Sequence, residues 1–395
     1  MRALTWQGMR DVRVEEVPDP TLEQPTDAVV RVTSTAICGS DLHLYNVLAP
    51  YLTPGDILGH EFMGIVEEVG DGAAGHLSPG DRVVVPFNIS CGHCWMCERG
   101  LFAQCETTQN RDQGKGASLF GSTSLYGAVP GGQAELVRVP HADFGPIKID
   151  SDAPDERFLY LSDILPTAWQ GVEYADVPDG GTLLILGLGP VGLMAVRSAR
   201  HRGVAQIIGV DREPARLAEG ARLGATTLDL SSTKDIAAAV HDLTDGRGAD
   251  GVLDAVGMEA HGNPVSEKVI GLASRLPGPV ARAAIEHAGI DRLAALHLAV
   301  ECARRGGTVS VSGVYGGAAS PMPLMDIFDK ALTFRHGQCN VRAWTDELLR
   351  LALDDNDPLE LQDLATHHGS LEDAPQMYDL FAEKGDDCIK VVLKP

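Results

Sequence analysis

The stretch that most constrains the fold of this chain is LLILGLGPVG at residues 183–192, followed by AQIIGVD at residues 205–211. An apolar run ends in a glycine-rich turn, a helix-like segment follows, and a second apolar run ends in Asp211. The glycines of this turn have the G-x-G-x-x-G spacing and are Gly187, Gly189 and Gly192. They permit a tight turn and let a pyrophosphate approach the N-terminus of the following helix. The pattern predicts a strand–turn–helix unit that binds a dinucleotide.

The wider pattern of the chain predicts an α/β protein of two domains. Residues 164–335 alternate strand-like and helix-like runs, which favours a parallel, doubly wound sheet. Residues 1–163 instead carry short β-type runs separated by Gly and Pro, which is typical of a barrel-like β domain. Residues 336–395 return to helix plus strand, and we expect them to complete the first domain.

One interval does not fit the alternating pattern. After VLDAVG, about forty residues precede the next expected helix, where a short connection is usual. This insertion, at about residues 258–296, contains helix-like pieces on either side of a Pro-Gly-Pro break. Two interpretations remain open: it forms a contact between subunits, or it lies over the nucleotide-binding edge of the sheet.

The charge of the chain argues against two classes of partner. With 55 acidic and 32 basic residues, the formal net charge is −23, so nucleic acid and anionic membrane surfaces are repelled. No run reaches the roughly 18 apolar residues of a membrane span, and the first residues do not resemble a signal peptide. We therefore expect a cytoplasmic protein with no nucleic-acid or membrane partner.

A cluster of cysteines predicts a bound metal. The spacing is C-x2-C-x2-C-x7-C, and the residues are Cys91, Cys94, Cys97 and Cys105. Thiolates two residues apart bend around one tetrahedral ion, and four of them fill its coordination shell, as in a structural zinc site. An iron–sulfur cluster is the alternative, but nothing else in the sequence supports a redox cluster. The scattered Cys302, Cys339 and Cys388 are interpreted as structural thiols.

The acidic residue after the second strand bears on cofactor choice. The carboxylate of Asp211 accepts hydrogen bonds from an adenosine ribose diol and repels a 2′-phosphate, so NAD is preferred over NADP. Arg212 weakens this preference if it faces the ribose. An equally good interpretation is that Arg212 is a solvated surface charge, which has no effect on the preference for NAD.

Further candidate ligands occur in CGSDLH and GHE, namely Cys38, His60 and Glu61. Taken alone, Cys38 is more often a small buried apolar residue, and His60 a core histidine with one hydrogen bond. Asp163, in the stretch LSDILPT, is also ambiguous. It is a suitable cap for the helix that follows, or a carboxylate that holds a metal.

The glycine fingerprint, the four cysteines, CGSD and GHE, in this order, resemble the zinc-dependent medium-chain alcohol dehydrogenases. Within that family, CGSDLH, VPFNISCGHC and LSDILPT resemble the branch that contains glutathione-independent formaldehyde dehydrogenase and formaldehyde dismutase. The resemblance covers essentially the whole chain. It implies a GroES-like β-barrel catalytic domain joined to a Rossmann domain that binds NAD.

The resemblance also implies roles for individual residues. The ligands of a catalytic zinc are Cys38, His60 and Asp163, and the four clustered cysteines hold a second, structural zinc. Ser40 and His43 form a proton relay, and Asp41 orients His60. Glu61 either exchanges with zinc-bound water or is a nearby charge partner. Phe87 is a pocket wall or a core residue.

The cofactor contacts that the resemblance implies lie mainly in the second domain. They are Thr167, Gly187, Gly189, Pro190, Val191, Gly192, Asp211, Arg212, Arg216, Val256, Val314 and Lys390. Among them, Thr167 is expected to touch the nicotinamide amide and Lys390 the pyrophosphate. Val314 belongs to the loop beneath the nicotinamide.

The function implied is hydride transfer between NAD and a primary alcohol or hydrated aldehyde, formaldehyde included. Each chain is expected to hold two zinc ions and to assemble as a homotetramer. One alternative is an aldehyde dismutase whose NAD never leaves; another is a polyol or amino-alcohol dehydrogenase. A dinucleotide-dependent sensor or structural protein without catalytic activity is the alternative from a different class.

Overall fold

The computed structural model describes residues 1–257, 293–315 and 321–395. The insertion predicted at about residues 258–296 lies almost entirely outside the described residues. The chain forms two compact units, one of Met1–Pro166 with Cys339–Pro395 and one of Thr167–Gln338. The division into domains predicted at 163/164 and 335/336 stays a prediction.

The strands of the described residues are β1 (Arg2–Gly8), β2 (Asp11–Glu16), β3 (Ala28–Ile37), β4 (Glu61–Val69), β5 (Arg82–Val85), β6 (Leu136–Val139), β7 (Ile147–Lys148), β8 (Thr182–Leu186), β9 (Gln206–Asp211), β10 (Thr226–Asp229), β11 (Ala249–Asp254), β12 (Ala303–Val311), β13 (Thr333–His336), β14 (His367–Ser370) and β15 (Val391–Lys394).

The α-helices of the same ranges are α1 (Gly39–Asn46), α2 (Ile164–Tyr174), α3 (Pro190–His201), α4 (Pro214–Arg222), α5 (Ile236–Leu243), α6 (Ala294–Cys302), α7 (Leu324–Lys330), α8 (Val341–Leu353) and α9 (Ala374–Glu383). Short 3-10 helices occur at Ala49–Tyr51, Cys97–Arg99, Phe102–Gln104, Arg111–Gln113, Ser124–Tyr126, Asp155–Arg157, Leu159–Ser162, Leu361–Asp363, Leu371–Asp373 and Gly385–Asp387. None of these helices is long and apolar enough to cross a bilayer.

The first unit is built around a seven-stranded sheet. Its strand order is β14-β15-β3-β4-β5-β7, with β6 also paired to β3, and β1 and β2 form a separate hairpin. Strand β3 lies at the centre because most of its side chains are apolar and buried. Strand β15 pairs antiparallel with β3 and places Val391 opposite Ile37. The end of the chain therefore completes the sheet that the first residues begin.

The second unit contains a six-stranded parallel sheet in the order β10-β9-β8-β11-β12-β13. Counted from its first strand this order is 3-2-1-4-5-6, the dinucleotide-binding arrangement. The predicted α/β class with a doubly wound parallel sheet is therefore confirmed. Strand β8 is buried along its whole length, and apolar residues of α5 and α6 pack against the sheet. The strand order reverses between β8 and β11, where such sheets bind ligands beyond their carboxyl ends.

Candidate functional site

Four side chains of the first unit meet in one buried cluster, which we call the Cys38 cluster. Its members are Cys38, His60, Glu61 and Asp163, and their ligand atoms all lie within 4.8 Å of one another. Cys38 follows β3 and caps α1, Glu61 begins β4, and Asp163 directly precedes α2. The fold thus brings together residues that are far apart in the sequence.

The distances within the Cys38 cluster suit a shared metal ion. Asp163 Oδ2 lies 3.2 Å from His60 Nε2 and 3.6 Å from Cys38 Sγ. A thiolate, an imidazole and a carboxylate are the donors that zinc binds in proteins. The Asp163 carboxylate therefore lies where the ligand interpretation needs it. Its backbone is held as well, because the amide of Phe87 donates to the carbonyl of the preceding Ser162 at 2.9 Å.

Asp41 links two members of the Cys38 cluster. It occupies the third position of α1, and its Oδ2 accepts a hydrogen bond of 2.9 Å from the backbone N–H of Cys38. Its Oδ1 lies 3.0 Å from Nδ1 of His60. The resemblance implied this contact with His60. The contact fixes which imidazole nitrogen faces the other ligands.

Burial and charge keep protons on the Cys38 cluster when no metal is bound. Burial raises the pKa of the Cys38 thiol to about 11, and the negative charges of Glu61 and Asp163 add to this effect. Burial, the largest single effect, lowers the pKa of His60, but Asp41, Cys38 and Asp163 together outweigh it and hold that pKa well above its ordinary value. Near neutral pH the metal-free cluster therefore carries a protonated thiol and a protonated imidazole.

Zinc uptake by this cluster is expected to strengthen with rising pH. Both pKa values are raised, so both groups are protonated below them, and zinc must displace these protons to bind thiolate and neutral imidazole. The apparent association constant should rise by about tenfold per pH unit for each proton displaced. Competition with a chromophoric chelator between pH 6 and pH 8 measures this slope, and a flat profile would contradict the protonation assignment.

Two further predicted residues, Ser40 and Phe87, contact members of the Cys38 cluster, and a third, His43, lies on the helix that Cys38 caps. Ser40 Oγ is 3.4 Å from Cys38 Sγ, and His43 is buried on the same helix, α1. The ring of Phe87 meets the His60 ring edge-on, with centroids 6.2 Å apart. Phe87 also packs against Cys339 and other apolar residues, so it serves the core as well as the cluster.

Lys390 lies in this unit and contacts a member of the Cys38 cluster. Its ammonium is 2.8 Å from each Glu61 carboxylate oxygen and donates to the carbonyl of Ile37 at 2.9 Å. Both side chains are fully buried. Burial, the largest single effect, lowers the pKa of Lys390, but Glu61, Cys38 and Asp163 together outweigh it and raise that pKa, so the ammonium stays charged. This pairing was not foreseen from the sequence. The contact of Lys390 with a pyrophosphate stays a prediction.

The clustered cysteines form a second candidate metal site, which we call the cysteine lobe. The ligand atoms of Cys91, Cys94, Cys97 and Cys105 lie within 4.8 Å of one another. The sulfurs are themselves hydrogen-bonded: Cys94 accepts from the backbone N–H of Glu106 at 3.3 Å, and Cys91 from the hydroxyl of Thr107 at 3.1 Å. Burial raises the pKa of Cys94, but hydrogen bonds from backbone N–H groups and from the neighbouring cysteine side chains together outweigh it and lower that pKa to about 6. These hydrogen bonds thus already favour a thiolate at this position.

In the second unit the predicted glycine turn lies at the end of β8. Gly187 has a φ of +86°, and a Cβ added at Gly192 would lie 1.8 Å from the carbonyl oxygen of Gly187. Asp211, at the end of β9, accepts hydrogen bonds from the backbone N–H of Leu188 at 2.6 Å and of Arg212 at 2.7 Å. The Asp211 carboxylate therefore holds the glycine turn against β9. A side chain at residue 192 would collide with the backbone of this turn, so glycine is required there.

Other predicted cofactor residues surround this turn. Pro190 and Val191 begin α3, Arg216 lies beside Gly189, and Val256 lies beside Gly187. The side chain of Arg212 is half exposed, which favours the surface-charge interpretation. Thr167 lies on α2, and Val314 follows β12 and is half exposed. Their cofactor contacts stay predictions.

Asp254, which was not predicted from the sequence, joins two loops near the point where the strand order of the parallel sheet reverses. Asp254, at the end of β11, is fully buried and accepts hydrogen bonds from the backbone N–H of Val256 at 2.9 Å and of Gly257 at 3.1 Å. It also accepts a bond of 2.6 Å from the hydroxyl of Tyr315, in the loop after β12. The sequence signal that could have indicated Asp254 is its position directly after the apolar Val-Leu pair in VLDAVG.

Comparison with known proteins gives one consistent result. Residues 24–149 match the alcohol dehydrogenase GroES-like domain, and residues 190–266 match the zinc-binding dehydrogenase family. The zinc-type alcohol dehydrogenase-like protein AdhB of Bacillus subtilis, described as uncharacterized, is 38% identical over 100% of both chains. The alcohol dehydrogenase TADH from Thermus sp. ATN1 superimposes with a TM-score of 0.81 at 35% identity, over 100% of this chain and 99% of that one.

Two relatives belong to the branch that the motifs resemble. Glutathione-independent formaldehyde dehydrogenase of Pseudomonas aeruginosa is 33% identical over 96% of this chain and 94% of that protein. Formaldehyde dismutase of Pseudomonas putida is 34% identical over 80% of this chain and 75% of that protein. Sequence, fold and donor set agree, and the chain belongs to the zinc-dependent medium-chain alcohol dehydrogenase family.

Proposed function

We propose that this protein is an NAD-dependent zinc dehydrogenase that oxidises a primary alcohol or a hydrated aldehyde such as hydrated formaldehyde. The observation that carries the proposal is the Cys38 cluster, in which a thiol, an imidazole and a carboxylate converge within 4.8 Å in a family of zinc enzymes. The similarity to formaldehyde dehydrogenase supports the substrate class. A protein without catalytic activity would have no need for this donor set beside Ser40 and His43.

The donor set fits a catalytic zinc. Cys38, His60 and Asp163 would supply three ligands, which is the usual number at catalytic sites, where one position stays open for substrate. Zinc bound there polarises a substrate oxygen and lowers the pKa of its hydroxyl. A carboxylate at residue 163 keeps the charge of the cysteine found in better-known branches but donates less electron density. The cysteine lobe would hold the structural ion.

Residues of the chain move the substrate proton. Ser40 Oγ lies beside the Cys38 sulfur and would accept the proton as the substrate hydroxyl ionises, while it passes its own hydroxyl proton into the relay that ends at His43. His43, on the same helix, takes the proton onward, a task that suits a histidine near neutral pH. Asp41 keeps His60 and Cys38 oriented while this happens. The result is stabilisation of negative charge on the substrate oxygen, which favours hydride loss.

The glycine turn fits a dinucleotide. The backbone at Gly187, Gly189 and Gly192 carries no Cβ, so a pyrophosphate can lie against the N-terminus of α3. Asp211, at the end of β9, would meet an adenosine ribose, and its negative charge would disfavour a 2′-phosphate. Bound NAD supplies the hydride acceptor.

Hydrated formaldehyde suits this chemistry because it is a gem-diol with both an ionisable hydroxyl and a transferable hydrogen. Its oxidation gives formate without a thiol nucleophile. Dismutation is the second candidate, favoured by the similarity to formaldehyde dismutase. In that reaction one formaldehyde is oxidised to formate while a second is reduced to methanol, and a cofactor that stays bound would carry the hydride between them.

One experiment separates these functions. Purified protein is incubated with formaldehyde, with and without added NAD, and formate, methanol and NADH are quantified. NAD-dependent formate with equimolar NADH supports the dehydrogenase. Equimolar formate and methanol without added NAD support the dismutase. The Asp163→Ala variant serves as the blank, and absence of turnover with formaldehyde and with primary alcohols would contradict the proposal.

Replacement of Gly192 is expected to damage cofactor binding. In Gly192→Ala the new Cβ would lie 1.8 Å from the Gly187 carbonyl oxygen, so the turn must shift. Overpacking of this kind costs about 1–3 kcal/mol, and NADH affinity should fall together with the free energy of unfolding. Gly75→Ala is the control because nothing lies within 4 Å of its added Cβ. Fluorescence titration with NADH and urea unfolding provide the measurements; equal behaviour of the two variants would refute the close approach.

A further inference from the structure

The Asp41 carboxylate, which is not itself a proposed ligand, touches two proposed zinc ligands, Cys38 and His60. Its Oδ2 accepts a hydrogen bond from the backbone N–H of Cys38, and its Oδ1 lies 3.0 Å from Nδ1 of His60. Any rotation of this carboxylate therefore disturbs both ligands. What holds Asp41 in place is consequently part of the metal site.

Gln133 contacts Asp41 at Oδ2, the carboxylate oxygen that also accepts the hydrogen bond from Cys38. Its side-chain amide donates to the carbonyl of Ala36 at 3.2 Å and lies 3.4 Å from Asp41 Oδ2. Gln133 also packs against the residue that precedes His60, since a Cβ added at Gly59 would lie 2.4 Å from Gln133 Cγ. Asp41 and Gln133 are both fully buried, so water does not replace these contacts.

Tyr378, on α9, fixes the orientation of the Gln133 amide. Its hydroxyl donates to Gln133 Oε1 at 2.8 Å, and the residue is fully buried. Burial raises the pKa of Tyr378 well above its ordinary value, so the hydroxyl keeps its proton. The Ala36 carbonyl and the Asp41 carboxylate only accept hydrogen bonds, so the NH2 group of Gln133 must face them. The opposite amide orientation would leave buried groups unpaired, which is costly.

We propose that Tyr378 and Gln133 are positioning residues for the catalytic metal, acting through Asp41 on Cys38 and His60. The series of hydrogen bonds Tyr378–Gln133–Asp41 runs from helix α9 to two ligands through buried side chains only. It holds the ligands in place and slows loss of the metal, as outer partners of metal ligands do. This inference rests on the proposed function in that zinc occupies the Cys38 cluster.

Tyr45 supplies a matched control. Its ring contacts that of Tyr378 at a centroid distance of 5.4 Å, and its hydroxyl bonds to Asp379 at 2.8 Å. Tyr45→Phe therefore removes a comparable hydroxyl from the same packing region without touching Gln133. Faster zinc release caused by general loosening around α9 would appear in both tyrosine variants. Faster release caused by breaking the hydrogen bond from Tyr378 to Gln133 would appear only in Tyr378→Phe.

The experiment follows release of zinc from the two-zinc protein to a chromophoric chelator. Tyr378→Phe and Gln133→Leu should each release the catalytic zinc about tenfold faster than wild type, the lower end of the effects of outer partners. Zinc of the cysteine lobe is the internal reference and should keep its rate. The catalytic phase is identified as the one missing from Asp163→Ala. Tyr45→Phe should match wild type.

A double-mutant cycle tests the connection. If Tyr378 acts through Gln133, Tyr378→Phe adds nothing in the Gln133→Leu background. Additive effects, a wild-type rate in Tyr378→Phe, or equal acceleration in Tyr45→Phe would each overturn the positioning role. Wild-type protein with only the lobe zinc would instead contradict the proposed function itself, so the two failures are distinguishable. Cobalt substituted at the catalytic site should also show shifted thiolate absorption bands in Tyr378→Phe.

Discussion

The Asp163→Ala variant is expected to purify with one zinc ion per chain, retained by the cysteine lobe, and to lose nearly all dehydrogenase activity. Asp163 lies 3.2 Å from His60 and 3.6 Å from Cys38, so its removal leaves two donors beside Glu61, which is already paired with Lys390. Zinc contributes several kcal/mol to stabilisation of charge in the transition state, so activity should fall by roughly a thousandfold or more. Metal analysis and initial rates measure both effects.

Two further variants separate ligation from stability. Asp163→Cys restores a thiolate ligand and should keep both zinc ions. Asp155→Asn removes a different carboxylate, one that bonds to Arg82 and Ser34 rather than to the Cys38 cluster. It should lose stability but keep both metals. If Asp163→Ala itself retained two zinc ions per chain, Asp163 would be only a helix cap.

The Cys94→Ser variant is expected to bind zinc much more weakly at the cysteine lobe and to lose part of the stability of the first unit. A hydroxyl is a poor substitute for a thiolate at the position where backbone N–H groups and neighbouring cysteines lower the pKa of Cys94 to about 6. Binding of structural zinc is worth about 10–16 kcal/mol in small domains, and loss of one ligand of four should cost on the order of 3 kcal/mol. For a unit of this size the melting temperature should fall by about 6–12 °C.

Cys302→Ala is the control for this prediction, because Cys302 is a buried thiol outside both clusters. It should keep two zinc ions per chain. Metal content and thermal unfolding, followed side by side, decide the outcome. A Cys94→Ser protein that melts at the wild-type temperature would refute the structural role of the lobe.

The fold class was predictable because its signals are local. The glycine spacing, the alternating strands and helices and the acid at the end of β9 all lie within short segments, and the six-stranded parallel sheet confirms their interpretation. The cysteine lobe was similarly visible, since its four residues fall within fifteen positions. Patterns of this kind record the geometry that neighbouring residues must adopt.

The rest of the candidate site was not local. Cys38, His60 and Asp163 come from three separate segments, and only the family resemblance grouped them before the structure did. The bond of Tyr378 to Gln133 and that of Lys390 to Glu61 join residues more than two hundred positions apart. No periodicity marks such residues, because their partners are set by the packing of distant strands and helices.

The account depends on a zinc ion held by Cys38, His60 and Asp163, and crystals of the purified protein measured at the zinc absorption edge test it directly. Anomalous difference maps should contain two peaks per chain, one among these three side chains and one among the four cysteines of the lobe. A single peak in the lobe, or a second peak bound by other residues, would contradict the proposed active site.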